Sequence, residues 1–152
     1  MTTKIGFDIG GVIVDTSTRE PFEGALVTIK LAIEKFGKEN IFIISKAKYE
    51  WIKSNLELFE KLNFYEVTGV KKDHVHFVDE FEDKKDKCTK LGVTYMIDDE
   101  IKVVKFCSES DSIVPIWFER TKEECLKLHL DDKVIPCKTW KSIRKLLSRI
   151  EK

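Results

Sequence analysis

The chain has no excess of charge of either sign: 27 Lys and Arg balance 27 Asp and Glu, a formal net charge of zero at pH 7. A protein that coats nucleic acid or an anionic membrane by bulk charge needs a basic surplus, so neither is expected as the main role. No apolar run approaches the ~18 residues of a membrane span. The opening Met1-Thr2-Thr3-Lys4 passes straight into strand-like sequence, with no signal-peptide pattern, so a soluble cytoplasmic protein is expected. Glycine and proline are scarce, 7 and 3 residues, and no repeat or low-complexity stretch occurs. The four cysteines, 88, 107, 125 and 137, form no CxxC pair, and the three histidines, 74, 76 and 129, form no HxxxH or HExxH motif. A zinc site is therefore not expected, and the thiols read as small buried hydrophobes of a reducing compartment.

What is present is an ordinary globular composition of 152 residues, 42% hydrophobic and 36% charged, sized for a single domain over residues 1–152. Short apolar runs alternate with longer segments of helical period. Lys4 to Ile9 reads as a buried strand running into Gly10-Gly11. Phe22, Leu26, Ile29, Ile33 and Phe36 recur at helical spacing, with Pro21 near the start and Gly37 as the C-terminal cap. Ile41 to Ser45 is a second strand, followed by a helix with Ile52, Leu56 and Phe59 on one face and a loop from Asn63 to Asp73. Val75 to Val78, Thr94 to Ile97 and Ile113 to Phe118 are further strands, and Val134 to Cys137 a short edge strand. Between them lie helices near Lys84 to Leu91, through Ile101, Val104 and Cys107, and from a Thr121–Glu124 capping box to His129. Trp140, Ile143, Leu147 and Ile150 line a last helix. The segment from Lys138 to Lys152 holds six Lys and Arg against one Glu, read as a solvated side.

This alternation predicts an α/β fold: a three-layer, doubly wound, mostly parallel sheet with helices on both faces. Ligands of such sheets sit beyond the carboxyl ends of the strands. The residues there are Asp8, Ser45 and the pair Asp98-Asp99. Each has a plain alternative: a turn after a strand, a helix N-cap, an acidic helix start. Together they suggest clustered carboxylates that need a hard cation such as Mg²⁺ among them. One carboxylate could then attack phosphorus while a hydroxyl and a lysine hold the phosphoryl oxygens.

Phe7-Asp8-Ile9-Gly10-Gly11-Val12 resembles the first motif of the haloacid dehalogenase-like hydrolase superfamily. Ile41 to Lys46 is similar to its second motif and Tyr95-Met96-Ile97-Asp98-Asp99 to its fourth. The resemblance runs from about Lys4 to about Val104, and it implies a Mg²⁺-dependent phosphatase with a Rossmann-like core. Asp8 would be nucleophile and metal ligand, and Gly10 would offer its backbone carbonyl to the metal. Asp99 would be the direct acidic ligand, and Asp98 its neighbour or a water-mediated ligand. The third motif is a lysine. Lys84 shares a helical face with Cys88 and Leu91, which favours it over Lys85, with a solvated charged run as the plain alternative. Ser45 and Lys84 would hold the phosphoryl group.

Position 10 holds glycine where phosphatases of the superfamily usually place an Asp that protonates the leaving group. That help is typically worth ~10²–10⁴-fold. Asp15 could substitute only if the chain bent back. The short spacings after Asp8 and Ser45 suggest a member without a large cap, open to a phosphorylated metabolite, nucleotide or macromolecule. The segment from Thr16 to Glu20, Arg19 included, is the candidate for touching substrate. Two other readings stand beside the phosphohydrolase. One is a catalytically degenerate module that binds a phosphorylated ligand or protein partner. The other is a phospho-acceptor receiver domain, whose acidic pair would follow the first strand rather than the fourth.

Overall fold

The computed structural model describes residues 2–152. Six strands form one parallel sheet: β1 (Ile5–Phe7), β2 (Ile41–Lys46), β3 (Val75–Val78), β4 (Tyr95–Asp98), β5 (Val114–Phe118) and β6 (Ile135–Cys137). Their order is β3-β2-β1-β4-β5-β6, every pair parallel. Seven helices connect or flank them: α1 (Ala25–Phe36), α2 (Tyr49–Lys61), α3 (Phe64–Thr68), α4 (Asp83–Leu91), α5 (Ile101–Ser108), α6 (Lys122–Lys127) and α7 (Trp140–Arg149). The doubly wound sheet is as the sequence pattern predicts.

Residue alternation along the strands separates the two cores. Ile5, Phe7, Ile41, Ile43 and Ile97 pack with Ile29 of α1, Phe59 of α2, Phe64 of α3 and Ile143 of α7. On the other face Phe42, Ile44 and Met96 meet Cys88 of α4 and Val103 and Cys107 of α5. Trp117 continues this layer with Val104 and Cys125 of α6. All four cysteines are free and buried. No helix among the described residues is long and apolar enough to cross a membrane.

Several local expectations need correction. The first helix begins at Ala25 rather than near Phe22, because Pro21 bridges Val14 in an antiparallel contact and Gly24, at φ 86°, starts the helix. Ser45 does not cap α2; it lies within β2, and Lys48 occupies the N-cap. Leu56 is 39% exposed, and the inner side of α2 carries Asn55 and Phe59 instead. Asn63 to Asp73 is more than a loop, since α3 and a 3-10 turn at Lys72–His74 lie in it. The capping box at Thr121 and Glu124 forms as expected, although α6 ends at Lys127, and His129 adopts a left-handed φ of 52°.

Candidate active site

The strand order reverses around β1, whose neighbours are β2 and β4, and a crevice opens at such a switch point. Register decides which side chains meet there. Phe7 pairs with Ile97, and the Asp8 N–H donates to the Ile97 carbonyl at 3.1 Å, so Asp8 lies beside Asp98. Both carboxylates fall on the face that α4 covers. Lys84, one turn before the buried Cys88, enters from that helix and is 1% exposed. Its Nζ donates to Asp98 Oδ2 at 2.6 Å and lies 3.1 Å from Asp8 Oδ1. Lys85 points away, a third exposed, at 4.0 Å from Glu109.

Asp99 completes the group: Asp8, Asp98 and Asp99 each present an oxygen, all within 4.8 Å of one another. Three carboxylates face one ammonium. Burial pushes Asp98 up to about 8, and the charge of Asp8 adds to it against the pull of Lys84. Burial, then Asp8, pushes Asp99 up to about 6. Lys84 is moved the other way from an isolated buried amine: burial lowers it, but Asp8 and Asp98 together outweigh that and hold the proton firmly. Such a cluster is short of positive charge. Its all-oxygen donors suit a hard divalent cation such as Mg²⁺ better than a soft one. Asp98 has both oxygens engaged, Oδ2 by Lys84 and Oδ1 by the Glu100 N–H at 3.0 Å. Asp8 and Asp99 are therefore the freer carboxylates.

The turn after β1 brings Gly10 and Gly11 to this point. The Ile9 carbonyl accepts N–H bonds from Val12, Ile13 and Val14 at 3.2, 2.8 and 3.1 Å, which curls the chain back on itself. Trp140 Nε1 donates to the Val12 carbonyl at 2.8 Å, and its ring stacks on Phe7 at 5.7 Å, so α7 holds the turn in place. Gly11, at φ 79°, passes directly against the Asp99 carboxylate. The chain then forms a hairpin tip, with Asp15 N–H donating to Glu20 O at 2.9 Å. Asp15 Oδ1 accepts from the N–H groups of Ser17 and Thr18 at 2.7 and 3.1 Å. The chain bends back, but the Asp15 side chain is engaged in its own turn and does not line the cleft.

The cleft has a volume of about 380 Å³ and includes Asp8, Gly10, Ser45, Lys84 and Asp99 in its lining. Arg19 of the hairpin tip reaches its other wall, donating from Nη2 to Asn55 Oδ1 at 2.7 Å and to Ser54 Oγ at 3.3 Å. All the candidate residues therefore gather in one place. Reading by sequence alone missed Gly11 as the glycine that Asp99 requires, and Trp51, Asn55 and Phe81 as cleft residues. The Gly10-Gly11 pair was a visible signal for the first; nothing local in the sequence marks the others. A larger cavity, about 500 Å³, lies against Phe22, Phe118, Trp140 and Lys141, away from this acidic cluster.

No protein-family model matches the sequence, and no curated protein does. Among solved structures, a chain described as a candidate haloacid dehalogenase-like hydrolase from Burkholderia xenovorans LB400 superposes with a TM-score of 0.60. The two chains share a fold. Identity is 9%, over 84% of this chain and 57% of that one, so this chain spans little more than half its length. The likeness agrees with the sheet expected from the sequence, and at that identity it speaks for architecture alone.

Proposed function

We propose that this chain is a phosphohydrolase of the haloacid dehalogenase-like type, acting without a large cap on phosphate monoesters through an aspartyl phosphate on Asp8. The observation that carries this reading is Lys84 Nζ, buried between Asp8 and Asp98 at 3.1 and 2.6 Å, with Asp99 beside them. A structural ion pair does not need a third carboxylate at the mouth of a cleft. Asp8 and Asp99, with the carbonyl of Gly10, would hold Mg²⁺. The ion would supply charge neutralisation for the phosphoryl oxygens when bound.

An Asp8 carboxylate oxygen attacks phosphorus, and the ester P–O bond breaks. Lys84 and the Ser45 hydroxyl, which lines the same cleft, neutralise and orient the phosphoryl oxygens. Asp98 holds Lys84 in place. Water then attacks the phosphorus of the acyl phosphate, phosphate leaves, and the Asp8 carboxylate is restored. Gly10 provides no proton donor and Asp15 is engaged elsewhere, so an alkoxide leaving group receives no side-chain proton. Acyl and aryl phosphates, whose leaving oxygens need less protonation, should be the better substrates.

The test is hydrolysis of acetyl phosphate and p-nitrophenyl phosphate with Mg²⁺ or with EDTA, in the native chain and Asp8→Asn. Activity should require both the metal and Asp8. Turnover that survives EDTA and the substitution would place the chemistry elsewhere.

A further inference from the structure

We infer that the rim of this cleft is a nucleobase platform, in which Trp51 stacks on the base of a nucleoside monophosphate whose phosphate lies at Asp8. The phosphoryl end of the inference rests on the reading above; the platform rests on separate observations. Trp51 lines the cleft yet is 61% exposed, a large apolar ring left in water at the rim of the cleft that holds Asp8 and Lys84. Its pose is set by Arg19, whose guanidinium carbon lies 5.6 Å from the ring centroid. Arg19 is itself fixed by hydrogen bonds to Ser54 and to Asn55, which is 5% exposed, and holds a left-handed φ of 62° that non-glycine residues seldom adopt. Also in the cleft lining, Phe81 carries the Lys46 ammonium 4.6 Å from its centroid.

The cleft thus offers a buried floor for a phosphoryl group, two flanking cations and an exposed aromatic rim. That set is complementary to an anion attached to a planar ring. Depth decides among such ligands. Asp8 and Lys84 at the floor are 7% and 1% exposed, whereas Trp51 stands at the open edge. A ligand with its phosphate at that floor and its ring on Trp51 fits best with a spacer between them, as a ribose separates a base from its 5′-phosphate. Phosphotyrosine, whose ring bears the phosphate oxygen directly, lacks that spacer. The net reaction would be hydrolysis of the P–O5′ ester, with one water consumed and nucleoside and inorganic phosphate released.

Trp117 and Trp140 are 3% and 2% exposed, so base stacking would quench Trp51 selectively. With Mg²⁺ present, adenosine 5′-monophosphate and ribose 5-phosphate are titrated against Asp8→Asn by tryptophan fluorescence. Their kcat/KM values are then compared in the native chain, Trp51→Ala and Trp51→Phe, with melting curves as a folding control. The nucleotide should quench saturably and be preferred over ribose 5-phosphate by about tenfold, chiefly through KM. The preference should fall towards one in Trp51→Ala and persist in Trp51→Phe. Equal use of the two esters, a preference indifferent to Trp51→Ala, or tighter binding of phosphotyrosine than of the nucleotide to Asp8→Asn would overturn the platform and leave Asp8 as nucleophile intact. Quenching lost in Trp51→Ala, with no ester hydrolysed by the native chain, would support the platform and sink the hydrolase.

Discussion

Gly11 sits at φ 79°, and a Cβ placed on it would overlap Asp99 Oδ2 and lie 2.7 Å from Cγ. Its neighbour Gly10 has no such constraint: its φ is ordinary, and a Cβ there would meet nothing nearer than Thr16 Cγ2 at 3.4 Å. The two glycines should therefore respond differently to substitution. Gly11→Ala adds left-handed strain of about 1–2 kcal/mol and displaces Asp99, so both melting temperature and Mg²⁺ affinity should fall. Gly10→Ala should leave both nearly unchanged, and calorimetry of the pair checks the contrast. Gly10→Asp restores an acid where the backbone accepts one. It should raise kcat/KM on alkyl phosphates by about tenfold, or ~1.4 kcal/mol of barrier, and change acyl phosphates much less. A folded, Mg²⁺-binding Gly10→Asp chain without that gain would favour a ligand-binding module over an enzyme.

Among the elements, α4 carries the strongest test of packing. Lys84 is the counter-charge for two carboxylates, one of them fully buried. Lys84→Met keeps the length but removes the donor to buried Asp98, which is protonated at pH 7, and the counter-charge of Asp8, so unfolding free energy at pH 7 should drop by about 1–3 kcal/mol. Lys85→Ala, at a partly exposed position with a 4.0 Å pair, should change stability by well under 1 kcal/mol in urea titrations. Lys84 was legible in the sequence because Cys88 and Leu91 follow it at helical spacing, and a sheet-packed helix has a single inner face. The strand-end acids were legible for a similar reason, since the carboxyl ends of parallel strands share one edge. Ser45 was less so. A serine between an apolar strand and a helix fits an N-cap equally well, and only the three further residues up to Lys48 decide against it. The Arg19–Asn55 contact spans 36 residues and joins a hairpin tip to a helix, a pairing that no local period encodes. Leu56 misleads because α2 turns Asn55 inward to receive that arginine, so the buried stripe is not purely apolar.

At the scale of the whole molecule, the site exists because the sheet changes direction at β1. The segments beginning at β1 and β4 then deliver their acids to adjacent strand ends. This concentrates charge that the fold must tolerate. Folded Asp98 and Asp99 titrate near 8 and 6, whereas an unfolded aspartate titrates near 4. Between those values the folded, metal-free chain holds protons that the unfolded chain has shed. Stability in EDTA should therefore decline as pH rises from about 4 to about 8. Lys84 does not offset this trend, since its amine stays charged throughout the window. A divalent cation competes with those same protons and gains affinity as they leave. The melting-temperature increase on adding saturating Mg²⁺ should thus be small at pH 5.5 and grow steadily to pH 8, as linkage to a native-state ligand demands. In Asp99→Asn the metal increment should largely vanish, and the decline in EDTA should flatten because one of the acids driving it is gone. An Mg²⁺ increment equal at pH 5.5 and 8, or undiminished in Asp99→Asn, would show that the cation binds somewhere other than the carboxyl ends of β1 and β4.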